Sequence, residues 1–312
     1  MMKKFLCICI GLILLTFSVA AQVPKGYFYM ATPPVYLYFL EGWNIRLLDQ
    51  TKEGTDEFSN DVKYKLKRRN GIDFIRIYGK LTDNAHDIFE NGKKEYALLY
   101  TQFFCMFINK NGTLQAEYRN SQWLSEGTFT SEKWFDTVHA TNEVREGNTK
   151  YSVENIFDGK NFTSCFAMAN NGIGEKVVFD NTQKKQQDNS AFNTDTDFEM
   201  LILISGFVHP GKPQLYTENS RPKKIKFTIH NPVLKKNTIK IVEVQDSPQP
   251  QIIEFDQLLL GKVITMEILE VYPGTKYSDV CISKLWEFHN RRSILENKTM
   301  FTDEGFPNAS WN

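Results

Sequence analysis

The sequence lacks an excess of either charge. Its 312 residues contain 37 Lys and Arg against 37 Asp and Glu, so no overall field attracts nucleic acid or an acidic membrane. It also lacks long apolar runs beyond the N-terminus, because no later stretch approaches the roughly 18 apolar residues that a membrane-spanning helix needs. We therefore expect no nucleic-acid partner, and no transmembrane segment once the N-terminal segment is removed.

Groupings typical of an enzyme active site are absent as well. The five His residues are dispersed, no Ser has the context of a nucleophile elbow, and no His-Glu-x-x-His metal motif occurs. Glu267 and Glu270 share a predicted strand but are an odd number of residues apart, so they face opposite sides. These observations predict a non-catalytic protein without a cofactor.

Cysteine is scarce, with five residues in the chain. Two of them lie in residues 1–21, where two lysines, an apolar stretch and small residues follow one another in the pattern of a cleaved secretory signal. The mature chain would keep Cys105, Cys165 and Cys281 in a secreted or periplasmic compartment. Three thiols allow one disulfide and one spare, or three buried thiols, and the residues alone do not choose between these.

Aromatic residues, by contrast, are plentiful at 13% of the chain. They occur in short runs with β-branched residues between polar turns, which favours sheet over helix. Residues 22–135 are therefore predicted to form a small all-β domain, either a β-meander or a partly closed barrel. The predicted strands are Tyr27–Met30, Val35–Leu40, Trp43–Leu48, Phe74–Tyr78, Tyr96–Ile108 and Leu114–Tyr118.

One segment of this first domain is basic. Lys63, Lys65 and Lys67 alternate with apolar residues, which is typical of a half-solvated antiparallel strand. The cluster that runs on to Arg69 could meet an anionic polymer, but its spacing favours the solvated face of a strand and its turn.

The composition becomes polar between about Ser125 and Tyr151, and we predict a domain boundary there. A second domain would span residues 140–287, followed by a polar tail at 288–312. Within the second domain, Leu201 to Ile204 is apolar on both faces, which predicts a central strand. The whole chain is thus predicted to be all-β.

Several spaced motifs follow one another in residues 140–287. They are Asn155-Ile156-Phe157-Asp158-Gly159 with Thr163, Gly172-Ile173-Gly174-Glu175, Gly206-Phe207, Leu215-Tyr216 with Asn219-Ser220-Arg221-Pro222-Lys223, and Tyr272-Pro273-Gly274-Thr275-Lys276-Tyr277 through Asp279 to Ser283. In this order they resemble the discoidin-like, coagulation-factor V/VIII type C domain found with streptococcal NAD glycohydrolase, where it is called the translocation or glycan-binding domain. The resemblance implies a galactose-binding-like jelly-roll sandwich. The catalytic domain of that enzyme has no visible counterpart in residues 22–135.

The resemblance also carries expectations about cysteine. Many relatives have a Trp-Cys pair at the position of Ser164-Cys165 and a Cys at the position of Cys281. It therefore implies a disulfide between Cys165 and Cys281, with Cys105 as the odd thiol. The Trp is replaced by Ser164, which removes a packing group or a sugar-stacking platform.

A metal site is a further point of comparison. Related sugar-binding modules often hold a structural calcium with the Asp of an Asp-Gly turn, a following Thr or Ser, and a Glu on the last strand. Asp158 and Thr163 match the first two, but Lys284 stands in place of the expected Glu. Since an ammonium at that position would replace the cation, we expect no metal.

A sugar site needs an aromatic face and groups that hydrogen-bond to hydroxyls. Two loops supply such groups, and the expected ligand-binding residues are Phe207, His209, Tyr216, Asn219, Arg221, Tyr272 and Lys276. Alternatively, Tyr216, Asn219 and Arg221 only lock their loop by hydrogen bonds. The sequence thus predicts an exported binding protein for a glycan or cell-surface protein. The alternative is a structural or adaptor protein of the envelope whose first domain makes the protein-protein contact.

Overall fold

A computed structural model describes residues 27–31, 34–40, 42–50, 57–90, 92–101, 104–120, 135–159, 161–182, 200–257, 259 and 261–288. The expected signal at residues 1–21 lies outside the described residues, as does the expected polar tail apart from Phe288. No helix within the described ranges is both long and apolar enough to cross a membrane.

The first part of the chain forms a closed barrel, which confirms the predicted small all-β unit. Each strand pairs antiparallel with the next, and the first closes on the last through Phe28 and Asn120. The strands are β1 (Tyr27–Ala31), β2 (Pro34–Leu40), β3 (Asn44–Gln50), β4 (Glu57–Arg69), β5 (Ile72–Tyr78), β6 (Tyr96–Tyr100), β7 (Phe104–Ile108) and β8 (Leu114–Asn120). The predicted single strand Tyr96–Ile108 is wrong, because the chain reverses after Tyr100 and pairs β6 with β7.

Side chains fill the barrel. Phe28, Leu37, Phe107 and Tyr118 point inward and are completely buried. Helix α1 (Asp83–Phe89) contributes Phe89 to the same cluster, with its ring centroid 4.9 Å from that of Phe107. The barrel interior is therefore a packed core rather than a ligand cavity.

The second part is a sandwich of two antiparallel sheets, as the jelly-roll prediction requires. Its strands are β9 (Thr137–Ala140), β12 (Phe166–Met168), β13 (Lys176–Asp180), β14 (Met200–Ser205), β15 (Arg221–Asn231), β16 (Lys236–Glu243), β17 (Gln251–Glu254), β18 (Val263–Tyr272) and β19 (Val280–Phe288). One sheet has the order β12-β19-β14-β17 and the other β16-β15-β18-β13-β9. Leu201 and Leu203 from the first sheet share one core with Phe227 and Met266 from the second.

The polar stretch at the predicted boundary contributes structure to the sandwich. Strand β9 pairs with β13 at the edge of the five-stranded sheet. A small hairpin of β10 (Val144–Glu146) and β11 (Thr149–Tyr151) follows, and then a 3-10 helix, Val153–Ile156.

Barrel and sandwich are joined by an apolar interface. Strand β14 directs Met200, Ile202 and Ile204 away from the sandwich core, toward the outer face of β5, β6 and β7. The side chains buried in this cluster are Ile72, Phe74, Ala97, Leu99, Phe104, Met106, Ile108, Phe162, Met200, Ile202, Ile204, Val208, Tyr216 and Trp286. Burying one large apolar side chain contributes about 1.5–3 kcal/mol, so the interface holds the two parts together.

Gln249 adds a polar contact across this interface. Its Nε2 donates to the carbonyl of Leu98 at 3.1 Å, and its Oε1 accepts from the backbone N–H of Tyr100 at 2.8 Å. The amide therefore pairs with β6 as a neighbouring strand would.

Two glycines allow a close approach of the backbones. The carbonyl of Gly112, in the turn between β7 and β8, accepts from the N–H of Phe162 at 2.7 Å. A Cβ on Gly112 would lie 2.6 Å from the methyl of Thr163, and one on Gly211 would lie 2.7 Å from the carbonyl oxygen of Lys110. Larger residues at these positions would push the barrel away from the sandwich.

Arg221, the first residue of β15, is the centre of a buried network. Its Nε and Nη2 bind the carboxylate of Asp246 at 2.7 and 2.9 Å. Its Nη1 donates to the carbonyls of Tyr216 and Asn219 at 3.0 and 2.8 Å. The hydroxyl of Tyr216 donates to the same carboxylate at 3.0 Å, so the short helix α2 (Leu215–Glu218) is fixed to the start of β15.

We predict that Arg221→Ala lowers the free energy of unfolding by about 2–3 kcal/mol, since it leaves two buried carbonyls and a partly buried carboxylate without their partner. Burial raises the pKa of Asp246, but hydrogen bonding and charge from Arg221 outweigh it and lower the pKa below its ordinary value. The pair therefore stabilises the fold at neutral pH and loses this contribution as pH falls through the lowered pKa. Denaturant unfolding of the wild-type protein and of Arg221→Ala, measured from pH 7 down to acidic pH, should show the difference between their free energies of unfolding becoming smaller.

Arg46→Ala is the matched control. Arg46 binds Asp61 with the same bidentate geometry, at 2.7 and 3.1 Å, but on the barrel surface. An exposed pair contributes about 0–1 kcal/mol, so this variant should be nearly as stable as the native protein. An equal loss of unfolding free energy in Arg221→Ala and Arg46→Ala would contradict a structural role specific to Arg221.

Candidate functional site

The two loops chosen from the sequence form one surface, which we call the loop platform (residues 206–221 and 272–279). Backbone hydrogen bonds join them: the N–H of Thr275 donates to the carbonyl of Thr217 at 3.0 Å, and the N–H of Tyr277 to that of Glu218 at 2.8 Å. The Ser220 hydroxyl accepts from the N–H of Gly274 at 3.0 Å. The structure thus brings together residues far apart in sequence.

Three of the expected ligand-binding residues lie beneath this surface. Tyr216, Asn219 and Arg221 are all buried. The network described above uses the polar groups of Tyr216 and Arg221, and Asn219 donates from Nδ2 to the carbonyl of Leu215 at 2.8 Å. Their polar atoms are therefore committed to holding the loop.

Tyr272 and Phe207 are also engaged within the fold. The hydroxyl of Tyr272 donates to the carbonyl of Val244 at 3.0 Å. Phe207 is buried beside Cys165 and Cys281. These two rings give the platform its shape, with little surface of Phe207 open to solvent.

His209 and Lys276 are more open. The Nδ1 of His209 accepts from the N–H of Gly211 at 3.1 Å, and its ring centroid lies 5.9 Å from that of Phe207. Burial and then the charge of Lys212 lower the pKa of His209, which favours the neutral imidazole. Lys276 is exposed.

Beside Lys276 lies Tyr277, the exposed aromatic residue of the platform. Tyr277 is 37% exposed, and the ammonium of Lys276 lies 4.8 Å from its ring centroid. An exposed aromatic ring can stack on the apolar face of a sugar, and the ammonium held over this ring can donate to a hydroxyl.

Sequence reasoning missed three neighbours of this surface. The ring of Tyr151 lies 6.3 Å from that of Phe207, and its hydroxyl donates to Glu146 at 3.4 Å. Burial, with the charge of Glu146, raises the pKa of Asp279. Tyr151 and Glu146 belong to the β10–β11 hairpin, which no local pattern links to the loops. Asp279 lies within the motif that runs from Tyr272 to Ser283, and this was the only signal in the sequence that linked it to the loops.

The sulfur pair lies under Phe207. Cys165 and Cys281 are buried in one small cluster, while Cys105 is inside the barrel. All three thiols are free in the structure, so the implied bridge is not formed there. Burial, together with a hydrogen bond to Cys281, raises the pKa of Cys165. Ala167 pairs with Cys281, so Cys165, two residues before Ala167, is the diagonal neighbour of Cys281 on the adjacent strand. A contact between the two thiols spans this separation.

Lys284 is a completely buried cation. Its Nζ donates to the carbonyl of Asn155 at 2.9 Å and lies 5.2 Å from the ring centroid of Phe162. Burial lowers the pKa of Lys284 to about 8, and the nearby charge of Asp158 partly opposes this shift.

These residues do not fit a calcium ion. The ammonium of Lys284 takes a backbone oxygen and faces Asp158, so a second cation in this place would meet a like charge. Thr163 directs its hydroxyl to the side chain of Asn161 at 2.6 Å. Across the described ranges, no three His, Cys, Asp or Glu residues are grouped as a metal site.

Solved structures similar to this chain share low sequence identity with it. The family 32 carbohydrate-binding module of C. perfringens NanJ, solved with galactose, is 15% identical, covers 49% of this chain and 93% of its own, and has a TM-score of 0.34. The family 32 module of Streptococcus pneumoniae EndoD is 11% identical, with 49% and 96% covered and a TM-score of 0.35. A two-domain protein of unknown function from Bacteroides fragilis is 10% identical, with 80% and 72% covered and a TM-score of 0.33.

No curated protein matches this chain. A family model does match it, over residues 128–287. The match covers half of the chain and contains the sandwich up to Glu287, including the loop platform. The chain belongs to the family of the NAD glycohydrolase translocation F5/8 type C domain.

Proposed function

We propose that this protein is an exported, non-catalytic glycan-binding protein whose binding surface is the loop platform. The observation that carries the proposal is the exposed ring of Tyr277 with the ammonium of Lys276 beside it, on two loops that are hydrogen-bonded together. Export is supported by the signal pattern of residues 1–21. The F5/8 type C family, to which the sandwich belongs, supports binding rather than catalysis.

The platform suits a ligand that rests on a rigid surface. Arg221 and Ser220 hold the loops from below, so little conformational entropy would be lost on binding. Tyr277 offers an aromatic face, and His209, Lys276 and Tyr151 offer polar groups at its margins. One aromatic face with a few polar groups around it is the usual composition of a sugar site.

The adaptor alternative receives less support from the barrel. A partner that adds a strand needs an unpaired sheet edge, and β1 closes on β8 among the described strands. Among the described residues, the barrel interior is likewise filled by packed side chains. Both observations favour the sandwich as the binding part.

We predict that Tyr277→Ala weakens glycan binding by about tenfold through loss of ring stacking, while Lys276→Gln has a smaller effect. A glycan array with the full mature chain identifies the sugar, and calorimetry then measures the affinities. Trp43→Ala is the control, because Trp43 is an exposed aromatic residue on the barrel, 53% accessible. Absence of sugar binding by the intact protein would rule out the proposal.

We further propose that the Cys165–Cys281 disulfide forms in the exported protein, stabilising it by roughly 3 to 4 kcal/mol. Alkylation of unfolded protein without reductant, followed by mass spectrometry, should label Cys105 alone. Alkylation after treatment with reductant should label all three cysteines. Alkylated Cys165 and Cys281 in the unreduced sample would refute the bridge.

Lys284 is proposed to replace the structural cation. Wild-type thermal stability should then be indifferent to millimolar calcium or chelator. Lys284→Glu should be destabilised in chelator and partly restored by calcium, because it supplies the missing oxygen ligand near Asp158. Lys284→Met, with the same length and no charge, serves as the control and should not respond.

The same residue predicts a pH dependence. The folded-state pKa of about 8 lies below the ordinary value of 10.5, so between these values the unfolded chain retains a proton that the folded chain has released. Stability from this side chain therefore rises with pH across that window, by about 3 kcal/mol in total. The difference in unfolding free energy between wild type and Lys284→Met should follow this rise. A constant difference would show that the ammonium is not buried.

A further inference from the structure

A cleft of about 520 Å³ lies between the barrel and the sandwich and shares the 210–213 segment with the loop platform. Its barrel side is formed by the end of β4, by β5 and by the turns before β6 and β8. Its sandwich side is the 210–213 segment, which Gly211 brings close to the backbone of Lys110. Ligand sites commonly have this volume and lie between domains.

The cleft is strongly basic. Five cationic side chains and one carboxylate, Glu95, line it; the cations are Arg69, Arg76, Lys93, Lys94 and Lys110. Arg69 binds Glu95, and Lys94 binds Glu90. Within the part of the chain that the structure describes, the side chains of Arg76, Lys93 and Lys110 form no ion pair or hydrogen bond. Three positive charges therefore converge without an anion to balance them.

Arg69 adds a second sign of an absent partner. Its guanidinium carbon lies 3.7 Å from the ring centroid of Phe74, which fixes its plane against the cleft wall. Its Nε is buried and has no hydrogen-bond acceptor among the described residues. A buried donor of this kind costs stability unless an acceptor reaches it.

Strands β4 and β5 carry further positive charge on the barrel surface. Lys65 lies directly opposite Arg76 in the β4–β5 pair. Like charges in this cross-strand position are destabilising, and an anion bound between them would relieve the repulsion. Lys63 and Lys67 continue the row on the same face of β4, so the basic surface extends beyond the cleft.

We propose that this cleft binds an acidic saccharide, through its carboxylate or sulfate groups. Arg76, Lys93 and Lys110 bind the anionic groups, while Pro210 and Pro213 form the apolar wall against the sugar rings. The row on β4 accommodates further units of a polymer.

A saccharide fits this lining better than a nucleic acid does. Proteins that bind single strands stack bases on open aromatic faces. In the described lining Phe74 supplies the aromatic ring, and the guanidinium of Arg69 covers its face. Asn109 and Asn111 border the cleft, and amides of this type suit hydroxyl groups.

The test uses the full mature chain and defined oligosaccharides in three classes: uronate-containing, sulfated and neutral. Wild-type protein should bind the uronate-containing or sulfated class, with affinity that falls as salt rises. The combined variant Arg76→Gln, Lys93→Gln and Lys110→Gln should bind about tenfold more weakly, since each exposed charge contact is worth a factor of about two to three.

The control is Lys176→Gln, Lys235→Gln and Lys236→Gln, which removes the same charge from exposed positions on the sandwich and should bind acidic saccharides as wild type does. Tyr277→Ala should also retain this binding, so loss of the platform function leaves the cleft measurable. Equal weakening by the control, no acidic saccharide bound by wild type, or preference for single-stranded nucleic acid would each overturn the proposal.

Discussion

The organisation of this protein depends on burying a single strand from both sides. Strand β14 carries apolar side chains on both faces, so one sheet of a sandwich can satisfy only half of them. Leu201 and Leu203 enter the sandwich core, while Met200, Ile202 and Ile204 require a second apolar surface. The barrel provides it, because β5, β6 and β7 are themselves apolar on the outside where they meet β14. The hydrophobic effect therefore joins the two parts.

This arrangement positions both candidate binding surfaces. The segment that follows β14 begins at a strand that is packed on both faces, so the start of this segment is held in place. One edge of the segment approaches the barrel at Gly211 and closes the basic cleft. Its other end is fixed by Arg221 and meets the 272–279 loop to form the platform. A change at the interface would thus alter both surfaces, since Phe74 of the interface cluster also lines the cleft and Tyr216 also lies under the platform.

Charged residue types by themselves did not indicate function here. Arg221 and Lys284 are the sort of side chains that bind ligands, yet both are buried and bonded within the fold. Arg76 and Lys110, in contrast, occur in ordinary barrel segments and lack partners among the described residues. The difference is in desolvation and pairing: a buried cation must be satisfied internally, whereas converging unpaired cations leave room for an anion.

The sequence alone determined the all-β class, the two-sided nature of β14, the jelly roll through its spaced motifs, and the two loops that form the platform. The all-β class and the character of β14 follow from local periodicity and turn residues, which act over a few neighbours, whereas the jelly roll was implied by the resemblance of its motifs to a known family. Only the tertiary structure decided that Tyr216 and Arg221 lie beneath the platform while Tyr277 remains exposed, and that the cleft exists at all. Burial and the meeting of separate segments depend on long-range packing, which no local pattern records.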